Sequence, residues 1–454
     1  MQGQSVFAIG SDAEIAHHVA PFADDVSIRI ASPEQAIATA RPGDLAIFYS
    51  EHFDRFRHCC VELKKRNVAT LYLVDGILEW RNSFENRPTE PACPWTMRTV
   101  LSHKVACIGA SQQRILDAWG NQGKTELVGI PRLENLCRLF AEGQLIRPRA
   151  ANNFRVLIAT AKTPGFTDEQ VAVTKKSLCQ LQAFFSKTRF TSDGREIEIL
   201  WRLSGGLAKQ LGVPNLAQDF DGTEAIEQLR SVDAVITTPS TLMLESMLLN
   251  RPTAILNFHN SPSFVSAAWQ IQHADQFSSV VEELAEPPVA KLELQKLLLG
   301  DALYCGSNSI QRMVELIDGM KCEARAALAT NRPFSFAQAI LPTPIAAPQT
   351  FATETLFPQV AELGFDSPQQ LAAELVQSRR EISHLQRELA QAKAELAQAH
   401  GIFEEIRNHP IAGPIVRIRE SLLSFLKRPK QSNTPVDKSV PTVEPTSELP
   451  TLTP

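Results

Sequence analysis

Short apolar, β-branched runs recur along the chain at Ser5–Ile9, Val26–Ile30, Leu45–Tyr49, Ala69–Val74, Lys104–Ile108 and Glu126–Val128. A second series follows at Phe154–Thr160, Glu196–Leu203, Val232–Ile236 and Thr253–Phe258. Most of these runs are nearly continuous in their apolar character, as expected of strands covered on both faces. Between them lie segments with helical spacing, among them Ala110–Trp119, Thr167–Ser186 and Thr241–Leu249. Alternation of this kind predicts parallel sheets covered by helices. The segment Gly143–Asn153 is polar and basic, with Arg147, Pro148 and Arg149, and reads as a hinge. The pattern therefore predicts an α/β protein of two Rossmann-like domains, residues 1–147 and 148–329, with a cleft between them. Helices near Pro287–Leu299 and Asn308–Met320 are expected to close the second domain.

Beyond residue 329 the pattern changes. Residues 330–365 are rich in Pro, Ala and Thr and read as a linker. Over 366–408, Leu371, Leu375, Ser378, Ile382, Leu385, Leu389, Ala392, Leu396, Ala399, Phe403 and Ile406 follow an unbroken 4, 3, 4, 3 spacing. That is the seam of a coiled coil, and it predicts self-association or docking on a partner helix through 371–406. Residues 409–430 form a basic amphipathic segment suited to a membrane interface or to packing back on the protein. Residues 431–454, rich in Pro, Ser and Thr, are expected to be disordered.

The stretch most suited to chemistry is Ser231–Pro262, which reads as strand, tight turn, helix and strand. Thr237, Thr238 and Pro239 break the strand, and Ser240 is placed to cap the helix. Asn250 is placed to end it in a left-handed conformation, with Pro252 beyond. Hydroxyls and free N–H groups at such a helix start suit a phosphate. Glu245 lies one turn beyond Thr241, on the same face, where a carboxylate is positioned for a ribose.

Composition narrows the function classes. The chain has 45 basic and 50 acidic residues, a formal −5, so no global charge favours nucleic acid. Its 8 cysteines are scattered without CxxC pairs and the N-terminus has no signal-like pattern, which predicts a reducing, cytoplasmic setting. No apolar run approaches the ~20 residues of a membrane span, so membrane contact is expected to be peripheral, on the inner face.

The residues Asp233-Ala-Val-Ile-Thr-Thr-Pro-Ser-Thr241 with Glu245, together with Asn250-Arg-Pro252 and Gly129-Ile-Pro-Arg132, carry a resemblance. Over about Val6–Met320 the chain resembles GT-B glycosyltransferases of polysaccharide biosynthesis, whose fold is shared with UDP-N-acetylglucosamine 2-epimerases. The resemblance implies that Thr238, Ser240 and Thr241 meet a donor diphosphate and that Glu245 meets the ribose. Lys162, after the first strand of the second domain, and Arg202 are candidates to neutralise the leaving diphosphate. The chain departs from comparable families at Arg202-Leu-Ser-Gly205, where they carry Arg-x-His-Pro.

Asp75, at the end of Leu71–Val74, is the candidate catalytic base facing the donor. Glu79, Trp80 and Arg81 are candidates for the acceptor side, and Trp269 and His259 for the donor side. No metal site or cofactor beyond the nucleotide-sugar co-substrate is expected. The expected activity is sugar transfer to a glycan acceptor. The alternatives are a nucleotide-sugar epimerase and a non-catalytic scaffold that recruits partners through its coiled coil.

Overall fold

The structure is a computed structural model that describes residues 4–74, 76–85, 97–145, 152–216, 222–334, 336, 338–342, 368–410 and 412–426. It divides into two units, residues 1–363 and 364–454. Asp75, most of the expected hinge (146–151), residues 335, 337 and 343–365 of the expected linker, 366–367 of the expected coiled coil, 411 and 427–430 of the amphipathic segment and the expected tail lie outside the described residues.

The first unit contains two parallel sheets, the α/β fold class with two Rossmann-like sheets read from the sequence. One comprises β1 Val6–Ile9, β2 Ile28–Ala31, β3 Leu45–Phe48, β4 Ala69–Leu73, β5 Lys104–Cys107 and β6 Thr125–Leu127, in the order β2-β1-β3-β4-β5-β6. The other comprises β7 Asn153–Ala159, β8 Glu196–Arg202, β9 Ala234–Thr237, β10 Thr253–Leu256 and β11 Trp269–Ile271, in the order β11-β10-β9-β7-β8. Their strand orders reverse beside β1 and β3 in the first sheet and beside β7 and β9 in the second. At such points the flanking connections diverge and open a crevice at the carboxyl ends.

The central strands of each sheet are buried on both faces, which explains their continuous apolar runs, whereas the edge strands β2 and β8 are partly exposed. In the first sheet Phe7, Ile9, Ala46 and Phe48 pack with Phe56, Cys59 and Leu63 of the Asp54–Lys65 helix. Val6, Ala8, Leu45 and Ile47 face the other way, against Met313, Leu316, Ile317 and Met320. Those last residues belong to the helix Ser309–Ala329. This helix, expected to close the second domain, thus returns to cover the first sheet. Its apolar stripe specifies an amphipathic helix, but a stripe carries no information about which sheet it will meet.

The start of the expected linker is also packed. Phe336 and Leu341 join the same core, and the backbone N–H groups of Ile340 and Leu341 donate to Glu126. Glu126 is paired at 2.7 Å with Lys104, and both side chains are buried. Lys104 also donates to the carbonyls of Gly123 and Gln338. Such a pair is tolerated in a core because its hydrogen-bonding capacity is largely filled.

A third core joins the two sheets. Ile108, Leu133, Leu136 and Cys137 pack with Leu157, Val235, Met243, Leu244 and Leu248.

Among its described residues the second unit forms the helix Pro368–Asn408 followed by Ala412–Leu426. Among the described residues no helix is long and apolar enough to cross a membrane.

Candidate functional site

The β7/β9 crevice is built by side chains that tie three strand ends together. Thr238, after β9, accepts a bond from the N–H of Ala161, after β7, at 2.8 Å. Thr160 and Ser204, after β7 and β8, share a hydroxyl contact of 3.0 Å, and the Ser204 N–H donates to Thr160 Oγ1 at 2.9 Å. Ser204 also donates to the carbonyl of Ala161. Thr160, Ser204 and Thr238 are all buried. These bonds satisfy backbone groups at turns where no ladder continues.

The turn into the next helix differs from expectation in one respect. The helix runs Leu242–Leu248 from Thr241, with no side-chain cap, and Ser240 Oγ lies 3.3 Å from Thr237 Oγ1. Ser240 therefore does not cap the helix, because its hydroxyl is turned back toward the strand end. Asn250 does take the left-handed conformation, with φ 57°.

Thr241 faces the other sheet. Its Oγ1 accepts a long bond, 3.4 Å, from the N–H of Ile77, and a methyl added at Gly76 would lie 2.7 Å from the same oxygen. Only a glycine permits this approach between the β4 end and the β9 turn. Glu245 is buried and accepts from Arg132 Nη1 at 2.7 Å. The Gly129-Ile-Pro-Arg132 turn and the helix carrying Glu245, far apart in sequence, are thereby joined. Gly129 has φ +94°, and a Cβ there would collide with Ser309 Oγ, so this turn also requires glycine.

The remaining sequence candidates are distributed unevenly. Lys162 is exposed on the turn after β7. Arg202 is buried and its Nη1 donates to Gln228 Oε1 at 2.9 Å. Trp269 is a core residue whose indole N–H donates to Glu283 at 2.8 Å, so it does not line the donor side. His259 Nε2 lies 3.1 Å from Thr174 Oγ1. Burial, reinforced by the Arg81 charge, holds its imidazole down to about 4.

On the first sheet's side, Arg81 is buried and paired with Glu79. Burial pushes the Glu79 carboxyl up, against the lowering effect of Arg81. Among the described residues Arg81 Nη1 has no hydrogen-bond partner. Glu85 accepts from Gln170 at 3.1 Å and from Ser261 at 3.3 Å, so this turn reaches loops of the second sheet. Trp80 stacks on Phe84 at 4.1 Å and approaches Phe264 at 5.8 Å.

Two cavities lie here. One, about 10 Å³ and lined by Ile77, Trp80, Arg81, Pro239, Asn257 and Ser261 among others, separates the two sheets' loops. That is room for about one water. The larger, about 220 Å³, sits at the carboxyl edge of the first sheet, with Tyr49, His52, Val74, Gly76, Glu79 and Asn82 in its wall. Val74 and Gly76 are the immediate neighbours of Asp75. Burial holds His52 down to about 4. Tyr49 is pushed up to about 12 by burial and by Glu14. Sequence reasoning missed His52 and Tyr49, although both follow β3 just beyond its carboxyl end, where a ligand crevice is expected.

Neither a family model nor a curated protein matches the chain. Solved structures do align with it. The wall teichoic acid polymerase TagF aligns over 72% of this chain and 90% of its own at 10% identity and a TM-score of 0.47. A putative UDP-N-acetylglucosamine 2-epimerase from Listeria monocytogenes aligns over 70% and 96% at 11% identity and 0.47. The UDP-GlcNAc 2-epimerase from Neisseria meningitidis bound to UDP-GlcNAc aligns over 69% and 99% at 12% identity and 0.43.

Proposed function

We propose that this chain is a GT-B glycosyltransferase that moves a sugar from a nucleotide diphosphate or monophosphate donor to a glycan or polysaccharide acceptor. One observation carries the reading: the β7/β9 crevice faces the β4 end across the Thr241–Ile77 contact, beside a cavity of about 220 Å³. In this reading Thr238, Ser240 and Thr241 offer hydroxyls to the donor phosphates. The 3.4 Å bond from Ile77 is weak enough to be exchanged for a phosphate oxygen. Glu245, oriented by Arg132, holds the ribose.

The acceptor occupies the larger cavity. Asp75 takes the proton of its hydroxyl as that oxygen attacks the anomeric carbon and the bond to the donor phosphate breaks. Lys162 neutralises the departing phosphate, with Arg202 as a second cation, in a reaction that uses no bound metal. The protein works in the cytoplasm, at the inner membrane face, and its long C-terminal helix associates with a second helix.

Thermal melting with UDP, GDP and CMP compounds tests the donor site. The expected result is a higher melting temperature with one nucleotide class and a diminished response in Thr241→Val. No response to any nucleotide overturns the proposal. Release of free nucleotide with acceptor extension, abolished in Asp75→Asn, separates transfer from epimerisation, in which the sugar stays attached. The bond that holds Arg202 to Gln228 favours a non-catalytic scaffold, and that reading predicts binding without turnover.

A further inference from the structure

The long helix Pro368–Asn408 carries an apolar seam that stands open to solvent in the single chain. Ile382, Leu385, Leu389, Leu396, Phe403 and Ile406 are all exposed, Leu396 by 71%. Leaving this much apolar surface in water is unfavourable, and a helix with such a seam is normally covered by another helix.

The flanking charges specify which helix, and in which direction. With Ile382, Leu389, Leu396 and Phe403 at a, the d positions are Leu385, Ala392, Ala399 and Ile406. The g positions are then Glu381, Glu388, Glu395 and Ile402, and the e positions are Gln386, Lys393, His400 and Arg407. One edge of the seam is acidic over three heptads and the other basic or neutral.

In a parallel, in-register pair each g position meets the e position five residues further along the other copy. Glu388 then faces Lys393 of the second copy and Glu395 faces its His400, twice each by symmetry. In an antiparallel pair g meets g and e meets e, which sets carboxylates against carboxylates and cations against cations. The existing contacts of these carboxylates, Gln391 to Glu395 at 2.9 Å and His384 to Glu388 at 3.5 Å, are exposed i,i+4 pairs and too weak to prevent the rearrangement. Ala392 and Ala399 at successive d layers leave little side-chain volume, which suits two strands better than a wider bundle.

We infer that the chain forms a homodimer through a parallel, in-register, two-stranded coiled coil along 382–406. The inference rests on this helix alone and is independent of the activity proposed above.

Sedimentation of the full-length protein at tens of micromolar is expected to give twice the chain mass, and a monomer overturns the proposal. Direction is read by disulfide formation in a background with the exposed Cys179 and Cys322 changed to Ser. Ile382→Cys alone and Phe403→Cys alone are each expected to give covalent dimers, since parallel pairing places each position against itself. Failure of both to cross-link overturns the parallel arrangement. Glu388→Lys, which leaves the seam intact, is expected to weaken the dimer about tenfold by replacing two attractive pairs with two repulsive ones. Adding Lys393→Glu in the same chain is expected to restore it, and failure to restore overturns the g-to-e pairing.

Discussion

The two sheets end in opposite ways. At the carboxyl edge of the second, Thr160, Ser204 and Thr238 bond one another and the adjacent backbone, and the groups that hold the turns apart are satisfied internally. At the carboxyl edge of the first, a cavity of about 220 Å³ stays open, walled in part by Tyr49 and His52. One edge is a finished platform and the other a container. A platform suits a ligand group of constant shape, such as a phosphate, whereas a container suits a partner whose size varies. The difference teaches that strand-end chemistry follows from what the turns bond to, since both edges arise from the same βα pattern.

Perturbations that unsettle the platform should cost most. Glu245→Ala removes one partner of Arg132, whose side chain is 22% exposed, and is expected to destabilise by about 1–3 kcal/mol in denaturant titration. Thr238→Val leaves the Ala161 N–H without its acceptor, with an expected loss of about 1–3 kcal/mol by the same measurement.

The container is tested by acid. His52 is held down to about 4 by burial, His259 to about 4 by burial and the Arg81 charge, and His103 to about 3 by burial and nearby lysines. Below about pH 6.5 the unfolded chain takes up protons that the fold refuses. The contribution of these histidines is therefore complete above about 6.5 and is lost as pH falls toward about 4. The melting temperature at pH 5 is expected to lie several degrees below that at pH 7, and His52→Gln should narrow the gap by about 2–4 °C. Lys162→Ala, on an exposed turn, should change stability by less than about 0.5 kcal/mol, while calorimetry is expected to show weakened nucleotide binding.

The sheets are legible in the sequence because buried parallel strands are continuous apolar runs, as Leu45–Phe48 shows. β11, Trp269–Ile271, escapes such a reading because three residues at a sheet edge carry no period. The left-handed Asn250 is legible from a local rule. The Ser240 cap is misread because that rule cannot see Thr237, whose hydroxyl the serine turns toward. The pairing of Arg132 with Glu245 spans 113 residues, and no local pattern encodes it. His52 and Tyr49 are overlooked for the related reason that a wall residue is defined by a void, which the sequence does not display.

The return of the Ser309–Ala329 helix to the first sheet has a consequence for biosynthesis. When β6 leaves the ribosome, Val6, Ala8 and Leu45 still lack the helix that covers them, and about 200 residues remain to be made before it appears. At roughly 5–20 residues per second, that face waits about 10–40 seconds for its last cover, with only early residues such as Ile15, Val19 and Phe22 packed on it. The second sheet emerges entire during this interval, so the domain translated first is the one completed last.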